Sequence, residues 1–530
     1  MARPSDADAP GPSVASPSVA VLSRPTQLAP VRLAELAALL GLPPQAQSAT
    51  VEVSGVTLSS ADVRPGDLFA ALPGSNTHGI GFAAAAIDAG AVAILTDPTG
   101  AAAMATVAGP PVVIVADPRA ALGRLSARVY GDPSHRLSVL GVTGTNGKTT
   151  TSYLLEAALA AAGQRPGLIG TIETRMQTAV GLVAVPARRT TPEAPDLQAT
   201  LALMAENGVG SVAMEVSSHA LALDRVAGTA FDVAGFTNFS QDHLDFHGDL
   251  EAYFAAKALL FDGRAAHEVV LVDDEWGRRL AGPDTVTVSV TGQTDARWYA
   301  SDVLAAQGRT SFVAHGPAGR RLTVSLGLPG NFNVGNALLA LAMLDCSGID
   351  VELAAQGLST ARVPGRMEVI DAGQPFTAVV DYAHTPAAVA TVLEALRPHA
   401  DTLILVLGCG GDRDTGKRPL MGEVAARGSD LLIITDDNPR SEDPAAIRTA
   451  MRAGADGVPP AQRGAVIEIG GRAHAIEAAI HRAGPGDTVL IAGKGHEHGQ
   501  EIDGVVVPFD DRQLLRSILA DNGWIGSPKP

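Results

Sequence analysis

Gly144, Thr145, Asn146, Gly147, Lys148, Thr149 and Thr150 are the residues of this chain best suited, by type and spacing, to do chemistry. Glycines let backbone N–H groups approach phosphate oxygens, and a helix N-terminus behind them adds a favourable dipole. A lysine at 148 reaches the β- and γ-phosphates, and the hydroxyl at 149 ligates Mg²⁺. The strict phosphate-loop pattern asks for glycine where Val142 stands; here glycines fall at 141, 144 and 147. A glycine-rich turn without a ligand is the alternative, and Gly-Lys-Thr-Thr in this setting speaks against it. The chain is expected to bind a nucleoside triphosphate.

Such a loop needs a strand before it and a helix after it. Residues 137–140 read as the strand and 151–159 as the helix. Further polar groups follow other apolar runs, where open α/β sheets place ligands. Residues 212–215 end in Glu215, a carboxylate placed as a second Mg²⁺ ligand. Residues 236–248 gather Asn238, Asp242, His243 and His247. The ordinary role of these histidines is a structural hydrogen bond, and that of Lys257 is a solvated helix position.

Composition sets the bounds. The 530 residues suggest three or four domains, and 46% hydrophobic content is ample for their cores. Two cysteines, Cys346 and Cys409, leave no disulfide framework, which fits a reducing, cytoplasmic setting. A net charge of −17 argues against nucleic-acid partners, and no apolar run is long enough for membrane insertion. Residues 1–29, rich in Pro, Ser and Ala, read as a disordered tail without a secretory pattern. Residues 30–134 read as a small α/β domain with a helix near 81–90. Residues 135–362 read as a central domain with a mostly parallel sheet, and 363–530 as a third domain. In that third domain, four apolar runs end in polar, glycine-bearing stretches near Asp381, Gly408, Thr435 and Gly493. Four such ends in one domain suggest a shared crevice.

Taken in order, these motifs resemble the Mur ligase family, the ATP-dependent amino-acid-adding enzymes of peptidoglycan synthesis, over nearly the whole chain after the tail. The resemblance implies an α/β fold of three domains: an N-terminal UDP-binding domain, a central phosphate-loop ATPase and a mobile, Rossmann-like C-terminal domain. It implies a monomer whose partners are small molecules: UDP-MurNAc-L-Ala-D-Glu, meso-diaminopimelate and ATP. It implies two Mg²⁺ ions, with Thr149 and Glu215 at one, and His243 with a carbamylated Lys257 at the other. Lys148, Glu215, His243 and Lys257 are the implied catalytic set. Asn336, Arg366 and Asp381 join the phosphate loop around ATP. Ser60, His78, Gly79, Thr190, Thr191, Ser217 and Arg225 match positions for the UDP-muramyl-peptide. The chain shows Ser59-Ser60-Ala61 where the family usually shows Asp-Ser-Arg. Arg413, Asp437, Asn438, Pro439, Arg440, Gly493 and Glu497 match the diaminopimelate pocket. There Arg440 and Arg413 fork onto a carboxylate, and Gly493 and Glu497 receive the distal ammonium. An Arg440 left unpaired by lysine would make the pocket reject it by roughly 10⁴–10⁵.

The implied chemistry fits elementary electrostatics. A carboxylate and a phosphate at ~4 Å repel by about 4 kcal/mol per charge pair at an effective dielectric of 20, so cations must screen them. An unperturbed lysine is neutral only about 0.04% of the time at pH 7, so carbamylation requires a depressed pKa. Folylpolyglutamate synthase, in the same superfamily, has no reason for the first domain or for Asp-Asn-Pro-Arg. A phosphate-loop ATPase driving movement would not need the four C-terminal strand ends. A protein that only binds partners would not need Lys148, Glu215, His243 and Lys257 together.

Overall fold

Short apolar strands separated by helices build three main sheets in the computed structural model, which describes residues 24–43, 48–74, 76–106, 109–292, 295–306 and 309–526. The first is parallel throughout: β1 (Gly55–Thr57), β2 (Asp67–Ala70), β3 (Ala93–Thr96) and β4 (Val112–Ile114). Helix α1 (Pro118–Val129) begins where Asp117 accepts hydrogen bonds from the N–H groups of Arg119 and Ala120 and Pro118 presets the first turn. The helix expected near 81–90 is a 3₁₀ turn, Gly79–Phe82, running into a helix of only six residues, Ala83–Asp88.

The expected tail divides. Residues 1–23 lie outside the described residues. Within 24–29, Arg24 donates to Asp67 at 2.5 Å and the Thr26 N–H donates to Glu206 at 2.9 Å. These bonds tie the stretch to the body of the protein, which composition alone does not reveal.

The central sheet has eleven strands among the described residues. At its heart β5 (Ser138–Thr143) lies between β6 (Ser211–Glu215) and β7 (Phe231–Phe236), all parallel. Val142 faces Glu215 across one pair and Gly235 across the other. Both faces are covered, by two separate clusters of buried side chains, which is why these strands are apolar along their length. Helices α2 (Lys148–Ala161) and α4 (Asn331–Cys346) lie on one face, and α3 (Leu250–Ala258) follows β7. The sheet is mostly parallel, as expected, and its antiparallel pairs lie at the edges. Strands at Glu173–Thr178 and Gly181–Pro186 form an antiparallel edge, and those at Arg309–His315 and Arg321–Leu326 form the other.

The third sheet brings the four strand ends to one side. β8 (Thr377–Asp381), β9 (Leu403–Leu407), β10 (Leu431–Ile434) and β11 (Thr488–Ala492) are parallel, in the order β8-β11-β9-β10. Their carboxyl ends therefore meet along one edge. Alternate residues feed two cores: Leu403, Leu405 and Leu407 one, Ile404 and Val406 the other. A hairpin, β12 (Gly499–Ile502) and β13 (Val505–Pro508), rises beside that edge. The passage from second to third domain is short, since Val363 packs in the central core and Met367 in the C-terminal one. No helix among the described residues is long and apolar enough to cross a membrane.

Candidate active site

The phosphate loop closes β5 and opens α2, and two of its glycines cannot be replaced without strain. Gly144 has φ +144° and a Cβ there would lie 1.9 Å from Thr237 Oγ1. Gly147, the N-cap of α2, has φ +89° and a Cβ would lie 2.4 Å from Asn336 Oδ1. The departure at Val142 has a plain cause: Val142 is still a fully buried strand residue, and the turn begins only at Gly144.

Four groups converge around this loop. Lys148 Nζ donates to the carbonyls of Gly144 (2.9 Å) and Thr145 (3.0 Å). Lys257, 1% exposed, donates to the same Gly144 carbonyl at 2.7 Å, with its ammonium 4.5 Å from the Tyr253 ring centroid. Burial, and then the neighbouring Lys148 charge, hold the Lys257 pKa well below its usual value. Burial lowers that of Lys148 too, against the pull of Glu215 and Asp242. Lys257 is thus no solvated helix position. His243 sits in a left-handed turn (φ +52°) next to Asp242.

Glu215 is fully buried and links two regions. One carboxylate oxygen accepts from Thr149 Oγ1 (3.0 Å) and Thr171 Oγ1 (2.9 Å), and the other from the Thr171 N–H (2.7 Å). Thr171 Oγ1 lies 3.1 Å from Thr190 Oγ1. Thr191 Oγ1 donates to the Glu215 carbonyl at 2.8 Å and accepts from the Ser217 N–H. A continuous polar chain thus runs from Thr190 and Thr191 to the phosphate loop. Ser217 caps the next helix through the Ala220 N–H, and Arg225 pairs with Glu193 at 3.0 Å.

On the other side of the loop a cleft of about 330 Å³ opens between the central and C-terminal domains. Asn146, Gly147, Thr150, Asn336, Arg366 and Asp381 all line it. The Arg366 guanidinium lies 4.2 Å over the Tyr382 ring, and no hydrogen bond among the described residues satisfies its buried Nε. Asp381 accepts the N–H groups of Met367 and Ala383, both at 2.7 Å. Burial raises its pKa, and Arg366 opposes the rise.

The remaining expected residues fall into two sets. In the first domain, His78 accepts from the Ile80 N–H and lies 3.0 Å from Asp97, while the Gly79 N–H bonds the Leu72 carbonyl. Ser60 starts a 3₁₀ turn, and no hydrogen bond among the described residues joins it or His78 to Thr190, Thr191, Ser217 or Arg225. At the C-terminal strand ends, Asn438 donates to Glu497 at 2.9 Å, and a Cβ on Gly493 would come within 2.7 Å of Asp437. Pro439 leads into Arg440, whose Nη1 reaches the Gly411 carbonyl. Arg413 does not join this group; it is exposed on the loop after β9, without a hydrogen bond among the described residues.

Two expectations about this pocket need correcting. Arg440 is not an unpaired cation, because its Nε donates to Glu501 at 3.1 Å. Glu497 is already engaged by Lys494, a fully buried lysine that donates to it at 2.8 Å and to Asn438 at 2.9 Å. Lys494 is absent from the expected set, and no local sequence signal marks it as buried. Thr171 was missed as well, although the apolar run ending in Gly170-Thr171 carries the same strand-end signal as Glu215. His219 is the third omission, with its ring centroid 4.8 Å from that of His243. Burial and His243 push its pKa down to about 4.

These residues are compatible with Mg²⁺. Thr149 and Glu215 offer a hydroxyl and a carboxylate, the hard oxygens Mg²⁺ prefers, and it ordinarily takes few protein ligands beside phosphate and water. Among the described residues no group of three or more His, Cys, Asp or Glu is clustered as a self-sufficient metal site.

Three family profiles match the chain in order: "Mur ligase family, catalytic domain" at residues 52–130, "Mur ligase middle domain" at 142–344, and "Mur ligase, glutamate ligase domain" at 365–495. The chain is 51% identical over 502 residues to a Streptomyces coelicolor protein named UDP-N-acetylmuramoyl-L-alanyl-D-glutamate--2,6-diaminopimelate ligase, covering 94% of this chain and 98% of that one. A Corynebacterium glutamicum protein of the same name is 51% identical over 482 residues, covering 88% and 92%. A solved structure of a ligase of that name superimposes with TM-score 0.66 at 33% identity, covering 93% of this chain and 99% of the other. The ADP complex of Thermotoga maritima MurF shares the fold, with TM-score 0.60 at 20% identity over 88% and 97%.

Proposed function

The chain belongs to the Mur ligase family, and we propose that it joins meso-diaminopimelate to the D-glutamyl side-chain carboxylate of UDP-N-acetylmuramoyl-L-alanyl-D-glutamate at the expense of ATP. The observation that carries this reading is the polar chain Thr190–Thr171–Glu215–Thr149. It ties positions assigned to the muramyl-peptide to the loop assigned to ATP. A carboxylate held by one end is thereby directed toward a γ-phosphate held by the other.

The D-glutamyl carboxylate oxygen attacks the γ-phosphorus, the bond to the β-phosphate oxygen breaks, and ADP leaves with an acyl phosphate behind. The diaminopimelate amine then attacks the acyl carbon, phosphate departs, and the nitrogen loses a proton to give the amide. Lys148 screens the phosphates once ATP draws it away from the Gly144 and Thr145 carbonyls. Thr149 and Glu215 would hold the first Mg²⁺, and His243 with a carbamylated Lys257 would hold the second. Bound there, the ions supply charge screening between carboxylate and phosphate. The depressed pKa of Lys257 supports carbamylation, since only the neutral amine adds CO₂. Asn336, Arg366 and Asp381 bring the two sides of the cleft onto the nucleotide. We place the monomeric enzyme in the cytoplasm, where ATP and nucleotide-linked precursors are available.

Phosphate release measured with each substrate omitted in turn tests the proposal. It requires ATP, the UDP-muramyl-dipeptide and meso-diaminopimelate together. Sustained release without an amino acid would point instead to a hydrolytic ATPase.

A further inference from the structure

The pairing of Arg440 with Glu501 bears on how the amino-acid pocket selects its substrate. Arg440 stands at φ +52°, fixed by its own backbone: its N–H donates to the Glu501 carbonyl (3.0 Å) and its carbonyl accepts from the Asp503 N–H (2.7 Å). The Glu501 N–H donates in turn to Asn438 Oδ1 at 3.0 Å, and Gln500 reaches the Asp437 carbonyl. Hairpin β12–β13 is therefore stitched to the Asp437–Arg440 segment through its backbone. The Glu501 carboxylate is not needed for that attachment.

A guanidinium offers a carboxylate two forked edges, Nε with Nη2 and Nη1 with Nη2. One of the two Nη1 hydrogens of Arg440 is engaged by the Gly411 carbonyl at 2.6 Å, which makes the second edge the less available one. Nε is held by Glu501 at 3.1 Å, on the more available edge. The pair is partly solvated, with the arginine side chain 22% and the glutamate 40% exposed, so it can be exchanged without burying a lone charge.

We propose that Glu501 is a built-in competitor for the amino-acid substrate's distal carboxylate, holding the same edge of Arg440 until the substrate displaces it. This rests on the proposed diaminopimelate pocket. An amino acid without a distal carboxylate leaves the Arg440–Glu501 pair intact, so Glu501 lowers affinity for diaminopimelate and narrows its advantage over lysine.

The test compares the full-length parent with Glu501→Gln and Glu501→Ala, using steady-state phosphate release and calorimetric binding of meso-diaminopimelate. Both variants keep the backbone bonds that position Arg440. KM and Kd for meso-diaminopimelate fall roughly two- to fivefold, the span of a partly exposed ion pair, with the change in KM and not in kcat. KM for ATP is unmoved, and the kcat/KM ratio of meso-diaminopimelate to L-lysine rises. An unchanged or raised KM and Kd would overturn the competitor role, a raised value marking Glu501 as a support for Arg440. Failure of the proposed function shows elsewhere, as phosphate release in the parent that ignores meso-diaminopimelate.

Discussion

Two ammonium groups sharing the Gly144 carbonyl put the sharpest demand on single residues. Lys148→Ala removes the cation aimed at the phosphates, and turnover falls by roughly 10²–10³ or more while thermal unfolding is unchanged. Substantial phosphate release by the folded variant would defeat the phosphate-loop assignment. Lys257→Ala loses activity to a similar extent, and a small added carboxylic acid partly restores it by replacing the carbamate oxygens. Full activity in that variant would return Lys257 to a purely structural role. His496 gives a pH signature. Burial and then the Arg366 charge lower its pKa to about 3, so the unfolded chain takes up a proton near pH 6.5 that the folded chain refuses. Its contribution to stability is therefore lost as pH falls from about 6.5 toward about 3. His496→Phe melts with a shallower loss over that window, and parallel parent and variant curves would contradict the assignment. That the loop carrying Lys148 and the strand end carrying Glu215 lie together was legible in the sequence, because a glycine loop before a helix and a carboxylate ending an apolar run are both local signals. Thr171 and Lys494 were not, because each acts through another protein group, Glu215 and Glu497, which sequence does not place beside it.

At the scale of elements, the strand-loop-helix unit fixes where those residues point. Gly144→Ala forces a Cβ against Thr237 in a left-handed backbone, costing about 1–3 kcal/mol and distorting the phosphate cradle. Titration with an ATP analogue checks this, and wild-type affinity would show that the loop relaxes freely. Leu405→Ala, at the centre of β9 and fully buried, costs about 2–5 kcal/mol by denaturant unfolding. The apolar strands β8 to β11 were readable because parallel strands covered on both faces are apolar without alternation. The antiparallel edges of the central sheet were not. Arg321–Leu326 alternates outward and inward, which marks a one-sided strand but says nothing about the direction of its neighbour. The tie of Arg24 and Thr26 to distant residues was equally hidden, since low apolar content predicts only that a segment has little core of its own.

At the scale of the molecule, the cleft proposed for ATP is built by two domains joined through three residues, Pro364 to Arg366, between core positions Val363 and Met367. Arg366 and Asp381 approach one side of the cleft and the phosphate loop the other. Small-angle scattering therefore shows compaction when an ATP analogue and both other substrates are added. An unchanged radius of gyration would argue against closure. The family resemblance and the meeting of the four C-terminal strand ends along one edge were legible because motifs at strand ends are local. The Arg440–Glu501 pair was not, because it joins segments 61 residues apart across a hairpin. The central claim is that this molecule carries a substrate carboxylate to a γ-phosphate and then to an amine. It is tested most directly by placing a heavy-oxygen label in the D-glutamyl side-chain carboxylate and analysing the released phosphate by mass spectrometry. An acyl-phosphate route delivers one labelled oxygen to phosphate for each amide formed. Unlabelled phosphate accompanying amide formation would contradict the account.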